Sequence, residues 1–170
     1  MSKKTNVVAE KKSTSSKYIS VVSGMDIRER LDEIYQRSHD KREHVKVFLR
    51  KSVDEAVGQL NESEMHAEEI AADYLSGILQ ILHPKGKIAS DTIIQVVSEI
   101  AFKSAQMDAE IESIIQGLIK GVSRSAKACG LQAKEIISEA SARMIEAVAD
   151  TNPEFEKKMR QAVKNAEKSV

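Results

Sequence analysis

The sequence predicts an all-α fold, an antiparallel helical bundle of about five to seven amphipathic helices behind a disordered basic N-terminal arm. Three observations lead there. Apolar residues recur at three- and four-residue intervals along most of the chain, as in helices that turn one face to a core. The chain is 41% hydrophobic with two prolines and seven glycines, richer in apolar residues and poorer in breakers than disordered chains. Aromatics make up 4% with no tryptophan, so the core is built from Ile, Leu, Val, Ala and Met, which suits closely spaced helices.

At 170 residues the chain is long enough for one domain with a real core. Residues 1–22 read as a flexible Lys/Ser-rich arm and 23–168 as a single helical domain. Ser23 with Asp26 resembles a capping box, and Ile27, Leu31, Ile34 and Tyr35 follow at helical spacing. The polar stretch from Ser38 to Glu43 either interrupts one long helix or separates two, with Asp40 and Glu43 as a second cap. Val45, Phe48, Leu49, Val53, Ala56, Val57 and Leu60 continue the apolar stripe.

Asn61 with Glu64 offers a third cap, ahead of Ala67, Ile70, Ala71, Tyr74, Leu75, Ile78 and Leu82 on one face. "HPKGK", His83 to Lys87, stops that helix, because proline lacks the N–H a helix needs and glycine turns cheaply. Ser90 starts the next, which could run on directly through Ile111 to a left-handed cap at Gly130 backed by Leu131. A further helix carries Ala133, Ile136, Ile137, Ala140, Met144 and Val148. Thr151 and Glu154 around Pro153 launch the last, with Phe155, Met159, Ala162, Val163 and Ala166.

A weak internal repeat accompanies this pattern. "YLSGIL" around Gly77 resembles "IIQGLI" around Gly117, and "TIIQVVSEIA" resembles "EIISEASARM". The spacings are 40 and 43 residues, so two duplicated helix-turn-helix units with a small insertion fit.

The stretch from Ile114 to Gly130 carries the main candidate site. Ile114, Leu118 and Val122 share the apolar face of an amphipathic helix, with Lys120, Arg124 and Lys127 opposite. Gly117 and Gly121 flank that face, where a missing Cβ lets another backbone approach. Helix packing or association is the leading reading, ahead of a lipid or polymer surface and of a phosphate site. Three residues separate the glycines and Lys120 precedes the second, which is not the P-loop pattern. Cys129 on the apolar side reads as a small hydrophobe.

Charge is zero overall but zoned: residues 1–17 and 157–170 are basic, while 53–73 hold seven acids and no Lys or Arg. Such zones are usually solvated faces and can also guide association. Glu62, His66, Glu69 and Asp73 share one stripe, yet it lies opposite the apolar face and lacks the Glu-x-x-His spacing of bundle metal sites. His39 and His44 do not share a helical face, and His83 precedes the loop proline. No nucleophile elbow or Cys–His arrangement stands out, and no motif implies a cofactor.

These features lead to a non-enzymatic helical interaction or scaffold protein, expected to self-associate through the face near Gly117 and Gly121. A protein partner is the alternative to a second copy. A coat on a membrane or polymer surface is the second reading, and nucleic-acid binding through the basic ends is the least favoured. One cysteine, no recognisable secretory signal and no long apolar run point to the cytoplasm.

Overall fold

The computed structural model describes residues 24–39, 43–62, 66–85, 90–107, 110–150 and 152–170. The expected arm at 1–22, with Ser23 of the first cap, lies outside them. Within them the chain is an all-α bundle of seven helices: α1 (Gly24–Ser38), α2 (His44–Glu62), α3 (Ala67–Leu82), α4 (Ser90–Gln106), α5 (Ile111–Ala128), α6 (Ala133–Ala149) and α7 (Pro153–Lys168).

Local chemistry explains most of the boundaries. Glu43 takes a positive φ of 61° between α1 and α2, a conformation no helix interior allows, so the polar stretch separates two helices. Asn61 lies inside α2 and α3 starts beyond His66, so the Asn61 cap does not form; Glu64 and Asp40 are not among the described residues. α3 ends at Leu82 in a single 3-10 turn through Pro84. α4 and α5 are separate helices, not one continuous run.

Gly130 closes α5 as its sequence requires. Its φ is 67°, the Leu131 N–H donates to the Ala126 carbonyl at 2.9 Å and the Gly130 N–H to that of Lys127 at 3.3 Å, the two bonds of a Schellman cap. α7 is capped by Asn152, whose side chain accepts from the Glu154 N–H at 2.9 Å, with Pro153 in the first turn. Thr151 lies outside the described residues.

Within a hairpin, neighbours run antiparallel. Tyr35 packs edge-on to Phe48 near the α1–α2 turn, and Arg30, farther from it, reaches Glu55 at 2.8 Å. Between hairpins the pairing skips a helix. α3 packs most extensively on α5 and α4 on α6, and sequence neighbours pack on one another as well, except α3 and α4, which scarcely touch. Lys120 meets Glu68, and Arg124 meets Asp73 one turn on, so α3 and α5 run parallel. The odd helices form one layer and the even helices another.

This layering exposes a longer repeat than the sequence suggested. A shift of 44 positions carries the contact of Leu31 with Gly77 onto that of Leu75 with Gly121. At the same spacing Ile27, Ala71, Ile115 and Met159 are all buried, as are Leu31, Leu75, Ile119 and Val163. In the even layer Ala56, Ile100 and Met144 follow the same rule. Gly77 therefore corresponds to Gly121, one helical turn beyond the expected Gly117, and the apparent insertion disappears. The unit occurs as three hairpins and a closing helix, and one apolar core runs through all seven helices.

The glycines differ in what surrounds them, and alanine substitutions should rank accordingly in urea unfolding. A Cβ at Gly58 meets nothing within 4 Å, so Gly58→Ala gains about 0.5–1 kcal/mol from helix propensity. A Cβ at Gly121 would lie 3.1 Å from both the Ala72 carbonyl oxygen and Leu75 Cδ2, and the net change stays within about 1 kcal/mol. At Gly117 it would collide with the Glu68 carbonyl, and the cost is about 2–4 kcal/mol. A Gly117→Ala protein as stable as wild type would contradict this packing.

Candidate functional site

The five residues of the expected packing or association face all lie inside the fold. Ile114, Leu118 and Val122 are 0% exposed, and Gly117 and Gly121 are covered by the α3 backbone at Glu68 and Ala72. On α5, Gly117 and Gly121 lie one turn apart and face Ala71 and Ala72 of α3, and Ser125, one turn on, lines a cleft together with Ser76. Small residues on both helices bring the backbones together, and dispersion contacts accumulate along the seam.

Charged groups line its edge. Lys120 Nζ lies 3.1 Å from Glu68 Oε1 and Arg124 Nη1 3.9 Å from Asp73 Oδ1. Beyond the last glycine the two helices leave a cleft of about 300 Å³, bordered by Asp73, Ser76, His83, Arg124, Ser125 and Cys129. Burial pushes the Asp73 carboxyl above its usual range, with Glu69 adding to the effect and Arg124 and Lys120 opposing it. Burial likewise raises the Cys129 thiol, which is half-buried and so less able to form the reactive thiolate. The Ser76 and Ser125 hydroxyls are buried without a hydrogen-bond partner.

A second polar junction ties the first three helices. Arg30 pairs with Glu55 at 2.8 Å, and the Tyr74 hydroxyl donates to the same carboxylate oxygen at 3.5 Å. Burial, then the Glu55 charge, raises the Tyr74 pKa, while the Glu55 hydrogen bond raises that of Arg30. The sequence placed Tyr74 on an apolar face, and periodicity gave no sign of the polar contact at its tip.

The remaining candidates are dispersed or regrouped. His66 Nδ1 lies 3.9 Å from Glu69, Asp73 turns to Arg124, and Glu62 is exposed at the end of α2. Among the described residues no three His, Cys, Asp or Glu side chains converge on a metal-sized space. His39 and His44 do meet: their rings are 5.7 Å apart across the α1–α2 turn, each 6.2 Å from Tyr35. Single-helix geometry missed this because the turn, not a helical face, brings them together.

The acidic zone is largely used within the fold. Asp54 pairs with Lys103, Glu55 with Arg30, Glu68 with Lys120 and Asp73 with Arg124, each an ion pair between different helices. Such partly exposed pairs are worth about 0–1 kcal/mol each, so they orient the layers more than they hold them. No helix among the described residues is long and apolar enough to cross a membrane. No family model matches the chain, and no curated protein matches it.

The Asp73 environment sets a pH dependence. A carboxyl whose folded pKa is raised binds its proton more tightly when folded, which favours folding in acid and is lost as pH rises through the carboxylate range. Asp73→Asn removes that loss. Between about pH 3 and pH 6 the urea midpoint of the variant should move upward relative to wild type; a relative fall over that window would contradict the burial-dominated shift.

Proposed function

We propose that the chain is a non-enzymatic helical interaction protein whose docking surface is the outer face of α7 and whose partner is an acidic protein surface. The observation that carries this reading is an imbalance of charge. Asp54, Glu55, Glu68 and Asp73 of the acidic zone pair with other helices, whereas Lys157, Lys158, Lys164 and Lys168 are exposed, pair with no acid among the described residues and outnumber the exposed Glu154 and Glu167 of the same helix. The opposite side of α7 is held by Met159, Ala162, Val163 and Ala166, all buried, so the lysines project from an anchored helix. A helix fixed on one side presents its charges at little further entropic cost.

The same anatomy weighs against the alternatives. Self-association through Gly117 and Gly121 would require α3 to leave α5. Met107 and Val170 are the exposed large hydrophobic residues among those described, so a coat on a lipid or polymer surface would have to open the bundle, losing roughly 25 cal/mol per Å² of apolar surface unless the new surface restores it. The four lysines also suit nucleic acid in charge, but with only 4% aromatics the chain has few side chains that stack on bases.

Polyglutamate is the probe, with a DNA duplex and neutral vesicles as the other arms. Wild type should bind polyglutamate with an affinity that falls as salt rises, and Lys157→Glu with Lys164→Glu should reduce binding at least tenfold while the circular dichroism spectrum is unchanged. Equal binding by the charge-reversed variant would overturn the α7 surface. Tighter binding to duplex would replace the partner class, and binding to neutral vesicles would favour the coat.

A further inference from the structure

The 44-residue repeat identifies a place where the third hairpin departs from the first two. The position held by Tyr35 in α1 and Leu79 in α3, 5% and 1% exposed, is Ser123 in α5. In the facing helix, the counterpart of Leu49 and Ile93, which are 8% and 0% exposed, is Ile137, only partly buried. A large apolar side chain has in effect been removed. A cavity of about 500 Å³ opens there, between the end of α5, the start of α6 and the end of α7. Lys127, Lys134, Ser138, Glu167 and Val170 on its lining are exposed, so the space is an open groove at the end of the bundle, and local breaches of an otherwise consistent pattern are expected at functional or strained sites.

The cavity wall is suited to an anion. Ser123 is 6% exposed, lines the space and has no hydrogen-bond partner among the described residues. α6 begins at Ala133 with no side-chain cap from Gln132, leaving the N–H groups of Ala133, Lys134 and Glu135 without helical acceptors at the positive end of the dipole. Lys127 and Lys134 stand on the two sides, exposed and without an ion pair among the described residues. Lys134 in a first helical turn is repelled by the helix dipole, a conflict that a bound anion relieves. Glu167 at the rim and Glu135 in the first turn oppose it, each a single charge set against the two lysines and the dipole. The negative end of α5 is quenched by the Gly130 and Leu131 N–H groups.

We propose that this cavity binds an amphiphilic anion. A carboxylate or phosphate head sits on the first turn of α6 between Lys127 and Lys134, accepting from Ser123, and a short aliphatic chain lies on Ile137 in the space that Tyr35 and Leu79 fill in the other hairpins. The volume falls within the range of small-molecule sites. The head group could come from a free acid or from a lipid, and the test separates them.

Full-length protein is titrated by calorimetry with octyl phosphate, with octylammonium and inorganic phosphate as controls, and with phosphatidic-acid vesicles in a cosedimentation arm. Octyl phosphate should bind below about 1 mM, at least tenfold more tightly than inorganic phosphate, and octylammonium should not bind. Ser123→Leu restores the side chain of the repeat and should abolish binding while holding or raising the unfolding midpoint. Lys127→Gln with Lys134→Gln, both exposed, should weaken binding at least tenfold in a protein of unchanged helicity. Failure of octyl phosphate to bind, binding that survives both variants, or equal binding of octylammonium would overturn the site. Vesicle binding that persists in the Ser123→Leu protein would also overturn it, by placing the head group elsewhere.

Discussion

Where α5 crosses α3, the Cα of Gly117 faces the Glu68 carbonyl with no room for a methyl group between them. One turn on, Gly121 takes Ala72 and the Leu75 side chain. Glycine costs a helix about 1 kcal/mol relative to alanine, so this seam is stable only because the backbones it joins bury what surrounds them. Ile114, Leu118 and Val122 reach the core from α5, and Ile70, Leu75 and Ile78 from α3, all 3% exposed or less. The same device appears between α1 and α3, where Leu31 lies on Gly77. Parallel helices two apart in sequence are thereby held in one layer, and the even helices cover them.

This constraint determines what the surface has left to offer. Apolar faces that periodicity alone could assign either to a core or to a partner are consumed by the next-but-one helix. Ion pairs between helices take up Asp54, Glu55, Glu68 and Asp73 of the acidic zone. What remains outward is polar, with unmatched positive charge concentrated on α7 and around the start of α6. Both functional proposals rest on these remnants, one on a surface and one on a cavity, and neither requires the bundle to open.

Helix positions were legible because their signals are local. Pro84 and Gly130 act through their own backbone geometry, and the caps of α5 and α7 lie within a few residues of their helices. The break between α1 and α2 was ambiguous because Glu43, not glycine, takes the left-handed conformation there. The letters of the sequence place the repeat one turn out of register. Gly117 sits in a closer match of letters to Gly77, whereas the equivalence of Gly77 and Gly121 lies in what each contacts. Arg30, standing where Tyr74, Leu118 and Ala162 are buried, hid the first unit altogether. The residues of the expected association face read as a packing surface in the sequence, but which helix covers them depends on residues some 46 positions away. The cavity at Ser123 has no local signature, because a serine on an amphipathic helix is unremarkable unless its counterparts are Tyr35 and Leu79.

If the glycine contacts hold the fold together, the α3–α5 seam is the most stable part of the molecule. Native-state amide hydrogen exchange on the full-length protein tests it directly, since amides that exchange only on global unfolding mark the most stable unit. The slowest amides should lie in Ala71–Ile78 of α3 and Ile114–Val122 of α5, with α1 and α7 exchanging by smaller openings. Protection concentrated instead in α6 and α7, with α3 and α5 exchanging early, would show that the glycine contacts do not hold the fold together.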